Sequence, residues 1–249
     1  MKVLITGATS GMGKEMALYL LSLGHELYVV ARNHQKLQEI YKDKKATIIA
    51  LDLSKESNCY KLYHKLKKEH IDFLINNAGF GDSGNFTATN LDKELDMINV
   101  NIKAYHILTK LFLQDFVEKN SGRILNVASM AGFMPGPYMA TYYATKAYIL
   151  NLSLAIYEEL KQMNSLVKIS IFCPGPVDTN FLEVAQVHFN VPLITASYAA
   201  KLAIDETMNN KLIIIPSNMK INRLLTKLAP IKLVLKINSK TQERVTFPK

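Results

Sequence analysis

The chain has 249 residues, 49% of them hydrophobic and 20% charged, with a formal net charge of +9. That length and composition suit one large globular domain with a substantial core, and exclude a disordered or low-complexity chain. Positions 211–249 hold nine Lys/Arg against one acid, Glu243, a net +8, so the other 210 residues carry only +1. A near-neutral body with a basic tail argues against a nucleic-acid-binding core.

Apolar runs alternate with amphipathic segments in chain order. Residues 2–6 read as a strand and 11–23 as a helix; 26–31 is a strand and 33–41 a helix. A strand over 47–52 precedes a helix over 54–69, and a strand over 71–76 precedes one long helix over 91–119. Then come a strand at 123–129, a long helix at 139–163, a strand at 167–173 and a last strand at 211–216. This β-α alternation predicts a Rossmann-type, doubly wound parallel sheet in a three-layer α/β/α single domain, whose ligands bind beyond the carboxyl ends of the strands. The apolar start of the chain is too short for the core of an export signal and leads into a glycine turn, and no apolar run approaches the ~20 residues of a membrane span. Cys59 and Cys173 match no metal spacing and are expected to be buried thiols in a reducing cytosol.

The first strand runs into Thr6-Gly7-Ala8-Thr9-Ser10-Gly11-Met12-Gly13. Three glycines permit a tight turn, and the free N–H groups of the next helix form an anion site. A phosphate-cradling P-loop is a rival because Gly13-Lys14 is present, but that pattern needs Gly at 8 and Ser/Thr at 15, where the chain has Ala8 and Glu15. A plain strand-to-helix turn built of small residues is the simpler alternative. After the second strand come Arg32 and Asn33, with no acid to hold a ribose 2′-OH. A guanidinium matches a 2′-phosphate in charge and shape, so NADP is expected over NAD unless Arg32 is only a solvated helix-start residue. Asp52 and Leu53 close the third strand; the carboxylate suits either an adenine amine or the start of the next helix. Asn76-Asn77-Ala78-Gly79 ends the fourth strand, with amides fit for the ribose, the neighbouring strand or a simple turn.

Tyr142 follows Ser129 by thirteen positions and precedes Lys146 by four. In a helix that spacing places Tyr142 and Lys146 on one face, about 6 Å apart along the axis. An ammonium beside a phenol favours phenolate and lowers a pKa ordinarily near ~10. Such a Tyr can give or take a proton while a Ser hydroxyl holds the oxygen being transformed.

In order, these motifs resemble the short-chain dehydrogenase/reductase family over roughly residues 1–216: the Thr6–Gly13 turn, Asp52, Asn76–Gly79, Asn101, Ser129, Tyr142 with Lys146, and Pro174-Gly175 before Thr179. The resemblance implies that Tyr142 is the general acid or base, that Lys146 bonds the nicotinamide ribose and lowers the Tyr142 pKa, and that Ser129 binds the substrate oxygen. It implies that Asn101 holds a water linking Lys146 to solvent, where the residues alone suggest a helix-interior amide. It also implies that Pro174, Gly175, Val177 and Thr179 line the nicotinamide amide, and that the chain forms a homodimer or homotetramer. Tyr138 and Tyr143 lack a lysine four residues on and are set aside as acids. The Asp-Gly-Gly-type ending of β-ketoacyl-carrier-protein reductases is absent.

Residues 180–196 fall at the family's substrate lid. They include Phe181, Leu182, Val184, Val187, Phe189, Val191, Leu193 and Ile194, and suggest a lipophilic carbonyl or else ordinary loop packing. In the extension, 217–249, cations at 220, 223 and 227 oppose apolar residues at 221, 224, 225 and 228, and Pro230 separates them from Lys232, Lys236 and Lys240. Such helices pack on the body or a second subunit, or lie on an anionic membrane. The reading is thus a cytoplasmic, NADP-dependent oxidoreductase interconverting a carbonyl and an alcohol, with no metal. The alternatives are a 3-oxoacyl-thioester reductase and a non-catalytic NADP-binding sensor.

Overall fold

The computed structural model describes residues 1–188 and 193–246. Phe189 and Val191 of the expected lid, and the last three residues of the tail, lie outside the described residues. The chain runs β1 (Lys2–Thr6), α1 (Gly11–Ser22), β2 (Glu26–Ala31), α2 (His34–Tyr41), β3 (Ala46–Ala50), α3 (Glu56–Leu66) and β4 (Phe73–Asn76). It continues with α4 (Leu91–Ile98), a π turn (Asn99–Ala104), α5 (Tyr105–Glu118), β5 (Arg123–Val127), a 3₁₀ turn (Met130–Phe133), α6 (Ala140–Gln162) and β6 (Lys168–Phe172). The last part holds β7 (Val177–Asp178), α7 (Phe181–Ala185), β8 (Ile194–Thr195), α8 (Ala196–Met208), β9 (Ile213–Ile214), α9 (Lys220–Leu228) and α10 (Ile231–Thr246).

The main sheet is parallel throughout, in the order β3-β2-β1-β4-β5-β6-β9. It is the expected doubly wound, single-domain α/β sheet, and its order reverses between β1 and β4, where such folds bind ligands. Side chains alternate across it: Val3, Ile5, Phe73 and Ile75 join the core under α1, α2 and α8, while Leu4 and Leu74 join the core under α3 and α5. Each such side chain, removed from water, contributes about 1.5–3 kcal/mol. Both cysteines are buried free thiols.

Besides the short β7, α7 and β8 in and beside the expected lid region, three elements depart from the sequence expectation. The helix expected to run unbroken over 91–119 is interrupted by the π turn, which carries Asn101. The last strand shortens to Ile213–Ile214, because its register reaches only Ile171 and Phe172 before Pro216 ends it. Helix α8 was not anticipated at all. Its signal is a Thr195 N-cap, whose hydroxyl accepts from the Tyr198 amide at 3.2 Å, followed by Ala199, Ala200, Ala203, Ile204 and Thr207 at helical spacing. These small residues let α8 lie close against α1, where the Tyr19 hydroxyl donates to Asp205 at 2.7 Å.

Candidate active site

The turn after β1 is shaped by close backbone approach. Gly7 and Gly11 have φ of +71° and +51°, a region costly for residues with a Cβ. At Gly13, an added Cβ would sit 2.2 Å from the Gly7 carbonyl oxygen and 2.3 Å from the Asn77 amide nitrogen. The turn is locked to β4: the Asn77 and Ala78 amides donate to the Thr6 hydroxyl at 3.0 Å each, and the Asn77 side chain donates to the Thr6 and Gly7 carbonyls at 3.0 and 3.3 Å. Of the readings open for Asn77, the structure therefore shows the bond to the neighbouring strand. Buried Tyr41, not singled out in the sequence, donates its hydroxyl to the Ala8 carbonyl at 2.7 Å. Ser10 caps α1 in extended geometry without a side-chain bond to the first turn, so the amides of Gly11, Met12 and Gly13 open an uncapped helix N-terminus next to Thr9. This glycine-lined cradle fits a dinucleotide phosphate.

Arg32 is exposed at the end of β2. Asn33 is the N-cap of α2, accepting from the Lys36 amide at 3.0 Å, so its side-chain oxygen is committed to the helix. Asp52 is likewise partly engaged: one oxygen accepts from the Ser54 amide at 3.1 Å, a turn before α3, and Leu53 beside it is buried. At the far side, Thr179 lies against Gly11, its Cγ2 3.0 Å from where a Cβ would stand, which brings the segment from Pro174 to Thr179 over the turn.

Ser129 follows β5. Its hydroxyl accepts from the Ala131 amide at 3.1 Å and donates to the Pro174 carbonyl at 3.4 Å, tying together the ends of β5 and β6. Lys146 is 5% exposed and donates to the Val127 carbonyl at 3.0 Å. Its ammonium lies 5.8 Å from the centre of the Tyr142 ring and 5.5 Å from that of Tyr105, a fully packed side chain beneath it. Asn101 is buried; its side chain accepts from the Phe80 amide (3.1 Å) and donates to the Phe80 carbonyl (2.9 Å) and the Thr145 hydroxyl (3.1 Å). The amide is thus neither idle nor bonded to its own helix; the π turn aims it between the loop after β4 and helix α6, close to Gly79. Thr145, Tyr105 and Tyr41 escaped the sequence reading because nothing in a single Thr or Tyr reports which loop it will brace.

The electrostatics correct one expectation. Tyr142 is not drawn down by Lys146: burial pushes its phenol up to about 12, opposed only by the hydrogen bond with Ser129. Burial also depresses Lys146 from the ordinary 10.5 to about 8. Because the folded value lies below the unfolded one, the full penalty of burying the cation is present below pH ~8 and is relieved as pH rises toward 10.5. Replacing Lys146 with Met should therefore stabilise the fold at pH 7 by up to roughly 3 kcal/mol, or about 5 °C or more in Tm. Thermal melts of both proteins at pH 7 and pH 10 check this: the gain should shrink at pH 10, and an equal gain at both would refute the charge as its cause.

Helix α7 closes over the site. The Phe181 and Tyr142 rings are 5.2 Å apart, and a Cβ on Gly81 would meet Phe181 at 2.6 Å. Ser83 donates to the Ala185 carbonyl at 2.8 Å, and Lys93 pairs with nearly buried Asp82 at 2.6 Å while also reaching the Val184 carbonyl at 3.4 Å. Val187 and Ala185 are buried with Met139, so the lid's apolar side faces the site.

Comparison with known proteins agrees with this geometry. The family model described as short chain dehydrogenase matches residues 1–187. An uncharacterized oxidoreductase of Staphylococcus epidermidis is 34% identical over 183 residues, covering 72% of this chain and 79% of the relative. A very-long-chain 3-oxoacyl-CoA reductase of Neurospora crassa is 35% identical over 168 residues, 63% of this chain and 51% of that protein. Among solved structures, a short-chain dehydrogenase from Sphingobium yanoikuyae in complex with NADPH superposes with a TM-score of 0.80 at 28% identity, covering 90% of this chain and 91% of that one. The chain belongs to the short-chain dehydrogenase/reductase family. Its class is therefore that of nicotinamide-dependent oxidoreductases built on the Rossmann-like fold.

Proposed function

We propose that the protein is an NADP(H)-dependent oxidoreductase that interconverts a ketone or aldehyde with its alcohol, acting on a lipophilic small molecule. The observation that carries this reading is the gathering of Ser129, Tyr142 and Lys146 beside the glycine cradle, at the ends of β1, β4, β5 and β6. The bound nicotinamide would supply or accept the hydride. Gly7 through Gly13 would hold its phosphates, with Asp52, Leu53, Ala78 and Gly79 along the adenosine and ribose and Pro174, Gly175, Val177 and Thr179 along the nicotinamide. Ser129 would hold the substrate oxygen, and Tyr142 would transfer its proton. A phenol held protonated at neutral pH suits an acid in carbonyl reduction. Lys146 would bond the ribose, and Asn101 would steady the route by which protons reach Lys146. A catalytic body over 1–216, a basic extension over 217–249 and a homo-oligomeric state complete the proposal.

Arg32 supports NADP over NAD because its guanidinium is exposed where the adenosine ribose would end. Titration of the protein with NADPH and NADH, read by fluorescence, tests the cofactor. Tighter NADPH binding is expected, and Arg32→Asp should shift the preference toward NADH by about tenfold or more. An unchanged ratio would remove Arg32 from the phosphate site. The apolar lid and the likeness to an acyl-CoA reductase favour one second reading, reduction of a 3-oxoacyl thioester, which a substrate screen with that cofactor would separate from simple ketones.

A further inference from the structure

The extension is held to the body by a narrow line of contacts. Arg223 stacks over the Phe133 ring at 4.8 Å, and Met219 lies against Gly175. On α10, Asn238 donates to the Pro135 carbonyl at 2.8 Å, Gln242 bonds the Tyr143 hydroxyl, and Val234 and Gln242 are buried. What these helices keep outward is unlike an ordinary surface. The apolar row of α9 is Ile221, Leu224, Leu225 and Leu228, exposed by 71%, 58%, 61% and 74%. A helix that merely packed on the body would turn this row inward; α9 instead turns its Arg223 edge inward and has no buried residue. On α10, Lys232, Lys236 and Lys240 are exposed on the side opposite Val234, Asn238 and Gln242, flanked by exposed Ile231, Leu233, Leu235 and Ile237. Isolated exposed apolar residues mean little, but eight leucines and isoleucines exposed on two consecutive helices make an apolar surface of the kind that marks an interaction site.

Charge decides the occupant. Positions 211–249 carry a net +8 while the other 210 residues carry +1. A symmetric pairing of this surface with a second copy would set +8 against +8. A bilayer bearing anionic lipids offers both complements at once, headgroup phosphates for the lysines and acyl chains for the leucine row. None of the described helices is long and apolar enough to cross a membrane, so the contact would be with its surface. We propose that α9 and α10 form a docking surface for an anionic lipid bilayer, with Ile221, Leu224, Leu225 and Leu228 entering the interface. Both helices rest on the segment that runs from Ser129 through Phe133 and Pro135 to Tyr143, so the docked protein would present the region around Ser129 and Tyr142 near the lipid. The inference rests on the surface alone and holds whatever the cofactor or substrate.

Co-sedimentation of the full chain with phosphatidylcholine vesicles, with and without about 30% phosphatidylserine, tests it. The phosphatidylserine vesicles should bind at least about tenfold more tightly, an advantage that falls at high salt. Leu224→Gln with Leu225→Gln should lose the binding, and Lys232→Gln with Lys236→Gln and Lys240→Gln should lose its dependence on phosphatidylserine. NADPH affinity, unchanged in both, shows that each variant is folded; should the leucine pair fail that check, the lysine variant decides. Equal pelleting of wild type and the folded variants would overturn the proposal. A dimer that dissociates on leucine replacement, with no vesicle binding by the wild type, would overturn it in favour of a second copy.

Discussion

Replacing Tyr142 with Phe is expected to lower turnover by about 10²–10⁴-fold while leaving NADPH affinity within a few-fold of wild type. The substitution removes one oxygen. The ring stays, and with it the contacts to Phe181 and to the Lys146 ammonium, so the lid and the cofactor cradle have no reason to move. What is lost is the proton donor that Ser129 touches. Steady-state kinetics and a binding titration on one preparation check both halves. Retained turnover would take the acid away from Tyr142. Lost affinity would show that the hydroxyl serves binding instead.

Gly13→Ala should cost more than any other single methyl group in the protein's cofactor turn. Its Cβ would stand 2.2 Å from the Gly7 carbonyl oxygen and 2.3 Å from the Asn77 amide, where no Cβ fits. Neither neighbour is a free side-chain end: Gly7 is backbone, and the Asn77 amide is held by the Thr6 and Gly7 carbonyls. The helix must slide away from the sheet, which dismantles the cradle. The expected result is a loss of NADPH affinity of 100-fold or more with a lowered Tm, the affinity loss corresponding to about 3 kcal/mol or more. A variant with wild-type affinity would mean that phosphates are not bound at this turn. Gly24→Ala is a useful contrast, since a Cβ there meets nothing within 4 Å, although its φ of +81° still strains the backbone.

The sheet was legible because its strands are short, nearly continuous apolar runs bounded by turns and alternating with amphipathic segments, the pattern of strands buried on both faces of a parallel sheet. Helix α8 was missed because alanines are weak hydrophobic markers; their meaning comes from the close approach to α1, which the sequence does not display. The site was legible where chemistry demands a residue type at fixed spacing, as at Ser129, Tyr142 and Lys146. It was illegible where the answer is a balance of energies. Proximity in sequence suggested that Lys146 would lower the Tyr142 pKa, yet burial of both side chains dominates in the fold. Asn33 and Asp52 show a similar limit, since each has a side-chain oxygen bonded to a nearby backbone amide.

The π turn at Asn99–Ala104 has a consequence for how the protein can vary. One extra residue in a helical turn rotates everything after it by roughly 100° relative to an uninterrupted α-helix. Helix α4, which reaches the lid through Lys93, and helix α5, which buries Leu108, Phe112 and Phe116, are therefore set at independent phases although the backbone passes continuously between them. Deleting a single residue there would swing the Phe112 and Phe116 rings off the sheet, whereas the exposed side chains of α4, such as Leu91 and Leu95 beside buried Glu94 and Met97, can change without disturbing those rings. The turn lets the helix that reaches the lid and the helix that packs on the sheet each keep its own buried face.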